Sequence, residues 1–306
     1  MDGFCLHIRE KNVTFVAKLY TMNKQYQEMK VEDGIFIPQP AMDYPQENPY
    51  ERTLFPKQIK NIEFDEHYPY IDDSLTYKLN LLWGYYLVIH ILLRLKLFIQ
   101  MGLRIRGRRI LKDHKQELAH GAITICNHVY RLDCPCVLLA VKGIHTTRIP
   151  MFAPNFRTKD GFFMRLAGGV PIPDSTTNMT ALKKFNEAFD EFNRRGWWMH
   201  IFPEACRWDF YKPIRPFQKG AFTMSYKYNK PILPCVITYR ERTGIYRLFG
   251  KKDIPLLTIT IGEPILPDTN QPRKIEVERL REVAHNQMTK MAGISYNPWP
   301  ASWGNQ

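Results

Sequence analysis

The sequence predicts an α/β protein with a largely parallel sheet flanked by helices. From Gly121 onward, short apolar runs typical of buried strands alternate with longer stretches of helical periodicity. Such alternation favours a parallel sheet, because each parallel connection needs a crossover segment. Hydrophobic residues make up 44% of the 306 residues and aromatic residues 13%, enough for one sizeable core.

Four apolar runs are predicted to be buried strands, and two longer segments are predicted to be helices. The strands are GAITICN, WWMHIF, ILPCVIT and LLTITIG, and KIEVERLREVAHNQMTKM forms a closing amphipathic helix. The segment NMTALKKFNEAFDEFNRR is predicted to place one apolar face on the core: Met179, Leu182, Phe185, Phe189 and Phe192. In such a fold the active groups are expected at the carboxyl ends of the strands.

Residues 1–75 differ in composition from residues 76–306, which are predicted to form the main domain. The segment IFIPQPAMDYPQENPYERTLFP is rich in Pro, Asn, Gln and Tyr, which indicates an extended arm that wraps a surface. The preceding FCLHIREKNVTFVAKLY has partial alternation and predicts a small hairpin.

An apolar helix is predicted over residues 79–103, LNLLWGYYLVIHILLRLKLFIQMGL. Its uninterrupted apolar part ends before Arg94, which is short of the roughly 20 residues that a membrane span needs. A basic flank follows at once, and basic residues beside an apolar helix are attracted to anionic cytoplasmic lipid: Arg104, Arg106, Arg108, Arg109 and Lys112. A helix lying in the membrane plane or shallowly inserted is therefore expected, with a buried core helix as the alternative.

The net charge is +13, from 43 basic and 30 acidic residues, which favours a negatively charged partner. No nucleic-acid-binding motif is visible, so a phospholipid surface is the expected partner rather than nucleic acid. Most of the 6 cysteines lie within core-like segments, and the start MDGFCLHIRE has no apolar secretion signal. We therefore expect free thiols and a location at the cytosolic face of a membrane.

A His–Asp pair stands at the end of the first predicted strand, in ITICNHVYRLDCP. His128 and Asp133 are five positions apart, so they meet only if His128 lies in a turn and Asp133 in the first turn of a helix. A carboxylate in that position holds the imidazole tautomer, as the orienting half of a catalytic triad does. The nucleophile would then be a substrate hydroxyl, although such a pair alone is also common in structural roles.

Three further blocks follow in chain order: RLAGGVPIPDS, then FPEACR with FQKGA, then PILP. In this order they resemble the glycerophospholipid acyltransferase family, typified by lysophosphatidic acid acyltransferases. That family has the blocks N-H-x-x-x-x-D, G-x-[IV]-P-[IV]-x-R, F-P-E-G-[TS]-R and P-[IV]-x-P. The resemblance covers residues 80–270 and implies a glycerol-3-phosphate acyltransferase-like fold.

The resemblance implies transfer of a fatty acyl group from a thioester to a lysophospholipid hydroxyl, most simply that of 1-acyl-glycerol-3-phosphate. His128 would be the general base and Asp133 its orienting partner. Glu204 would fix the acceptor or the local hydrogen bonds, and Arg207 would bind an anionic group. The expected substrate-binding set is completed by Asn127, Gly169, Arg165 and Lys219. Acyl-CoA or acyl-carrier protein is the expected co-substrate, with no metal or other cofactor.

The sequence departs from the family pattern in two blocks. Ala205 and Cys206 stand where the family prefers Gly and Thr or Ser, which is tolerable unless the backbone needs a positive φ. Asp174 stands where the family has an arginine thought to bind the acceptor phosphate. Either Arg165 or Arg207 compensates, or the acceptor is another lysolipid or a glycolipid.

Three other functional classes remain open at this point. Cys126, His128, Cys134 and Cys136 offer zinc ligands, but their spacing differs from that of structural zinc sites. Cys206 with His128 as base would give a thioesterase. A lipid-surface protein without catalytic activity is the third class.

Overall fold

Seven strands form one sheet within the described part of the chain, which comprises residues 28–39, 42, 44–45, 47–141, 147–175, 177–249 and 254–304 of a computed structural model. The strands in chain order, including a separate pair formed by the first and the last, are β1 (Lys30–Val31), β2 (Arg104–Arg106), β3 (Ile123–Cys126), β4 (Thr147–Met151), β5 (Gly169–Pro171), β6 (Trp198–Ile201), β7 (Ile232–Arg240), β8 (Leu256–Ile261) and β9 (Ile294–Tyr296). The spatial order in the sheet is β2-β8-β7-β3-β6-β4-β5. The four predicted strands are confirmed as β3, β6, β7 and β8.

The sheet is largely parallel, as predicted, with one antiparallel pair. β7, β3, β6, β4 and β5 run parallel to one another. β8 runs antiparallel to β7 and parallel to β2. The five parallel strands therefore share one carboxyl edge and one amino edge, and these two edges organise the rest of the molecule.

Helices cover both faces of the sheet. They are α1 (Leu75–Gln100), α2 (Ile110–Asp113), α3 (Asp133–Ala140), α4 (Gly161–Leu166), α5 (Met179–Arg194), α6 (Gly220–Tyr228) and α7 (Arg273–Met291). One buried cluster joins the sheet to α1 and α3, and a second joins it to α5, α6 and α7. β3 contributes side chains to both clusters because successive side chains alternate between the two faces. Ile123 and Ile125 pack in the cluster with α5, α6 and α7, and Cys126 packs in the cluster with α1 and α3.

The two predicted amphipathic helices are confirmed as α5 and α7, which lie on the same face of the sheet. On α5, Phe185, Phe189 and Phe192 are buried as predicted. Met179, which was expected on the same apolar face, is 71% exposed because it occupies the first turn, beyond the edge of the core.

The predicted apolar helix begins and ends earlier than expected, at Leu75 and Gln100. The Ser74 side chain accepts a hydrogen bond from Tyr77 N and so caps its start. Arg104 and Arg106 lie in β2 rather than at the helix end. Gly84 lets α1 approach α4, since a Cβ there would lie 2.6 Å from Leu166 Cβ.

The described part of the N-terminal arm has little regular secondary structure and contacts the main domain. β1 pairs antiparallel with β9, and Tyr44 packs between Trp208 and Tyr211. The C-terminal Trp299 is buried and donates to Tyr211 Oη at 2.8 Å. The predicted hairpin in residues 4–20 lies outside the described residues.

Candidate active site

His128 and Asp133 meet at the carboxyl edge, where the loop after β3 enters α3. His128 Nδ1 lies 2.6 Å from Asp133 Oδ2. The Asp133 carboxylate also accepts from Val129 N at 3.2 Å and from Cys134 N at 2.7 Å, as a first-turn acidic residue can. These bonds fix the carboxylate, so Nδ1 carries the donated hydrogen and Nε2 is the nitrogen able to accept a proton.

The His128 ring is reachable from solvent but held in place. Its side chain is 23% exposed, whereas that of Asp133 is 3% exposed. The ring stacks on Phe202, with centroids 4.1 Å apart and an interplanar angle of 17°. Among the described residues, Nε2 has no hydrogen-bond partner. A small substrate group can therefore approach Nε2 while Asp133 stays shielded.

Glu204 lies beside His128, which confirms that the two strand ends converge, but it is fully buried. Its Oε2 accepts from His128 N at 2.9 Å and from Arg215 Nη2 at 3.0 Å. Its Oε1 accepts from Arg215 N at 2.9 Å. Of the two roles expected for Glu204, the structure supports fixing local hydrogen bonds; a carboxylate with 0% exposure does not reach an acceptor.

Arg215 is the member of this network that sequence reasoning missed. Its side chain is also 0% exposed, and its guanidinium lies 4.3 Å from the centre of the Trp208 ring. Nη1 donates to Pro49 O at 2.8 Å, and Nη2 donates to Cys206 O. Because two charges removed from water need several partners, these bonds offset much of the cost of burying the Glu204–Arg215 pair.

The N-terminal arm supplies main-chain acceptors to this buried pair and its surroundings. Glu51 O accepts from Trp208 Nε1 at 3.0 Å and from Cys206 Sγ at 3.3 Å. Together with Pro49 O, these bonds connect the arm through Arg215 and Glu204 to the main chain of His128. The arm is therefore part of the structure that positions the candidate base.

Ala205 adopts a left-handed backbone conformation, with φ 63°. Cys206 N donates to Glu204 O at 2.7 Å, which closes a tight three-residue turn around Ala205. The related family prefers Gly here, and the positive φ gives the physical reason. The condition under which alanine is costly is thus met, and the turn stores strain directly beside Glu204.

Arg207 lies in the loop that is bonded to the main chain of the candidate base. Trp208 N donates to His128 O at 3.0 Å, which ties the two loops together. Arg207 Nε lies 2.8 Å from Asp209 Oδ1, and the arginine side chain is 30% exposed. Burial raises the pKa of Asp209, with Arg207 acting in the opposite direction.

Three of the predicted substrate-binding residues make structural contacts. The Asn127 side chain is buried and bridges β3 to β7, accepting from Ile237 N at 2.8 Å and donating to Ile237 O at 3.0 Å. Gly169 lies in β5, separated from β3 by β6 and β4, and a Cβ there would be 2.6 Å from Met164 O. Lys219 lies 3.4 Å from Glu278 on α7.

Asp174 is neutralised by an arginine that sequence reasoning did not consider. Arg157 Nη2 donates to Asp174 Oδ2, and the same oxygen accepts from Phe64 N of the arm at 2.9 Å. The two arginines expected to compensate are engaged elsewhere: Arg165 Nη2 donates to Asp72 at 2.8 Å, and Arg207 contacts Asp209. Asp174 therefore anchors the arm.

The cysteine positions bear on the remaining functional classes. Cys206 is 1% exposed, its sulfur accepts from Arg215 Nη1 at 3.1 Å, and it packs in the cluster that contains Trp208. The five cysteines within the described residues are free thiols. Those same residues contain no group of three His, Cys, Asp or Glu arranged to hold a metal ion.

The segment of residues 103–238 matches the family model described as Acyltransferase. It contains His128, Asp133, Glu204, Arg207 and Arg215.

One solved structure similar to the chain is the 1-acyl-sn-glycerophosphate (LPA) acyltransferase PlsC from Thermotoga maritima. The match has 18% identity and a TM-score of 0.42, and it covers 71% of this chain and 96% of that one. No curated protein matches the sequence.

Proposed function

We propose that the protein transfers a fatty acyl group from an acyl thioester to the hydroxyl of a lysophospholipid, in phospholipid synthesis. The observation that carries this proposal is the His128–Asp133 pair, 2.6 Å apart, within the segment that matches the Acyltransferase family model. No cofactor is proposed; acyl-CoA or acyl-carrier protein is the co-substrate.

In the proposed reaction, His128 Nε2 takes the proton of the acceptor hydroxyl as the oxygen attacks the thioester carbonyl. Asp133 stabilises the imidazolium that results. The tetrahedral intermediate collapses, the carbon–sulfur bond breaks, and the leaving thiolate takes the proton from His128. An ester and a free thiol are the products, and the base returns to its starting state.

The preferred acceptor in this proposal is 1-acyl-glycerol-3-phosphate, with Arg207 as the ligand of its phosphate. Arg207 is part-exposed and lies in the loop bonded to His128. Asp209 contacts Nε, and a guanidinium presents further N–H donors that suit phosphate oxygens. Since Arg157 neutralises Asp174, that carboxylate is no obstacle to an anionic acceptor.

The acceptor can be tested with the purified full chain, both thioester donors and a panel of lysolipids and glycolipids, with products identified by mass. We expect Arg207→Ala to lose roughly tenfold or more in kcat/KM on 1-acyl-glycerol-3-phosphate, and much less on a zwitterionic lysolipid. Arg165→Ala is the matched control and should not discriminate between acceptors. Equal losses on both acceptors in Arg207→Ala would remove the case for Arg207 as the phosphate ligand.

We also propose that α1 seats the protein on the cytosol-facing surface of a membrane. By length and composition alone, α1 is the one helix within the described residues able to cross a membrane, with 22% of its most apolar window buried. It presents exposed apolar side chains that include Leu79, Leu82, Trp83, Leu92 and Leu95. Partial burial against the domain favours a shallow position over a full span.

Vesicle sedimentation tests whether α1 binds a membrane surface. Leu92→Glu with Leu95→Glu should abolish most binding to vesicles that contain anionic lipid, because charge opposes insertion of the exposed face. Leu266→Glu is the control, because Leu266 is 51% exposed and follows Ile265, which belongs to the buried cluster on the other face of the sheet. If the double variant binds vesicles as well as the unchanged protein does, α1 is a core helix and does not contact the membrane.

A further inference from the structure

A cationic pocket lies at the amino edge of the sheet, away from the candidate active site. Its volume is about 840 Å³, and its lining includes Arg108, Arg109, Lys112, Lys115, Leu118 and Trp198. Trp198 is the first residue of β6, and Leu118 precedes β3. His128 follows the other end of β3, so the pocket and the base occupy opposite edges.

The path of α3 gives the scale of this separation. The helix starts at Asp133, beside His128, and ends at Ala140, where Arg108 donates to the carbonyl oxygens of Leu139 and Ala140. Its 8 residues span about 12 Å. The pocket thus begins where α3 ends, and the groups of the acyl-transfer site do not line it.

The charge of the lining is one-sided. All four ionisable side chains in it are cationic. Arg108 is partly committed to α3, and Arg109 lies 3.3 Å from Asp113 in an exposed pair. No ion pair within the described residues holds Lys112 or Lys115. An anion that enters the pocket could therefore bind these two lysines without breaking an existing ion pair.

The rest of the lining is apolar. Leu111, Leu118 and Trp198 belong to or pack against the buried cluster that also contains α1 residues. Ligand pockets in proteins measure about 300–1,000 Å³ and combine apolar walls with a few polar groups. A free phosphate would fill little of this volume and would leave Trp198 without a ligand contact.

We propose that this pocket is a second binding site, for a phosphate-bearing amphiphile whose phosphate contacts Lys112 and Lys115 and whose apolar part covers Trp198. A lipid phosphomonoester and an aromatic nucleotide phosphate share this chemistry. The site does not depend on acyl transfer, so it stands or falls separately from the proposed function.

Calorimetric titration of the full chain tests the site with four probes. They are inorganic phosphate, dihexanoyl phosphatidic acid, dihexanoyl phosphatidylcholine and adenosine 3′,5′-bisphosphate, each below its micelle concentration. We expect one or both phosphomonoesters to bind at least about tenfold more tightly than phosphate or the choline lipid. The phosphomonoester that binds more tightly shows whether the ligand is a lipid phosphomonoester or a nucleotide phosphate.

Paired variants locate the binding. Lys112→Gln with Lys115→Gln should weaken the phosphomonoester by roughly tenfold or more, because two charge-assisted contacts are lost. Lys274→Gln with Lys290→Gln removes the same charge from α7 on the other face and should change binding by less than about twofold. Arg207→Ala, a change at the other edge, should keep this binding.

Two results would overturn the proposal. One is equal binding of the phosphomonoester by the Lys112→Gln, Lys115→Gln variant and by the unchanged protein. The other is binding of phosphate or of the choline lipid as tight as that of the tighter-binding phosphomonoester. Loss of the binding in Arg207→Ala, with the lysine variant unaffected, would assign it to the acyl-transfer site instead.

Discussion

The two edges of the sheet differ in whether their charged side chains are buried or exposed. At the carboxyl edge, Asp133, Glu204 and Arg215 are buried, and each is held by several hydrogen bonds. At the amino edge, Lys112 and Lys115 are exposed around an open pocket. Buried charges are costly when a partner is lost, whereas exposed ones contribute little to stability. One edge is organised to hold a reacting group still, and the other is free to meet a ligand.

The largest effect should follow from Asp133→Asn at the carboxyl edge. An amide cannot hold His128 in the same tautomer or stabilise its imidazolium, so turnover should fall on the order of 10³–10⁴-fold with the fold retained. Steady-state acyl-transfer kinetics with circular dichroism measures this. Asp113→Asn, in the exposed pair with Arg109, should leave turnover unchanged. A loss of under tenfold in Asp133→Asn would show that the carboxylate does not orient the base.

Removing the buried arginine should affect the fold most. Arg215→Met leaves Glu204 buried without its charge partner and should lower the free energy of unfolding by about 3–5 kcal/mol. Arg194→Met is the matched control, since Arg194 forms a surface pair with Glu191 and should cost less than about 1 kcal/mol. Urea unfolding compares them. Similar losses would mean that the contrast between buried and exposed charge is wrong.

Acid should weaken the fold through its buried histidines. Burial lowers the pKa of both His200 and His285 to about 4. Between pH 6.5 and 4 the unfolded chain binds protons that the folded chain does not, so the free energy of unfolding falls as pH falls through this window. His114 acts in the opposite direction, because bonds to Glu117 and Glu263 raise its pKa.

His285→Gln isolates one of these histidines. Its loss of stability between pH 7 and pH 5 should be smaller than that of the unchanged protein by roughly 2 kcal/mol. His67→Gln, at a histidine whose side chain is 83% exposed, should leave the difference unchanged. An unaltered pH dependence in His285→Gln would contradict burial of the neutral ring.

The smallest effect concerns strain at the carboxyl edge. Ala205→Gly should raise the free energy of unfolding by up to about 1 kcal/mol, because relief of the positive φ outweighs the added freedom of the unfolded chain. Thermal unfolding measures it, with Ala301→Gly as a comparison outside the turn. A clear destabilisation would show that Ala205 is not strained.

Sequence patterns predicted the parts of this architecture that repeat or follow motif spacing. The apolar runs predicted the central strands, and the five-residue spacing of His128 and Asp133 predicted their contact. Apolar runs do not encode strand direction, so they could not predict that β8 runs antiparallel to β7. The pairing of Asp174 with Arg157 depends on the arm and the loop after β4, which no periodicity connects.

The arm contacts show a second limit. Arg215 lies in an irregular segment, and its partners Pro49 and Cys206 contribute carbonyl oxygens. Every residue has a backbone carbonyl, so no side-chain pattern marks the ones that matter. The only available hint was an arginine close behind the FPEACR block in KPIRPF.

The central claim is that His128 is the general base of an acyl-transfer site. It is tested most directly by single-turnover acyl transfer with purified His128→Ala, checked for a native unfolding transition, beside His120→Ala, a change at an exposed histidine. The account predicts that His128→Ala loses at least about 10²–10⁴-fold in rate while His120→Ala keeps the rate of the unchanged protein. A folded His128→Ala protein that transfers the acyl group at the unchanged rate would contradict it.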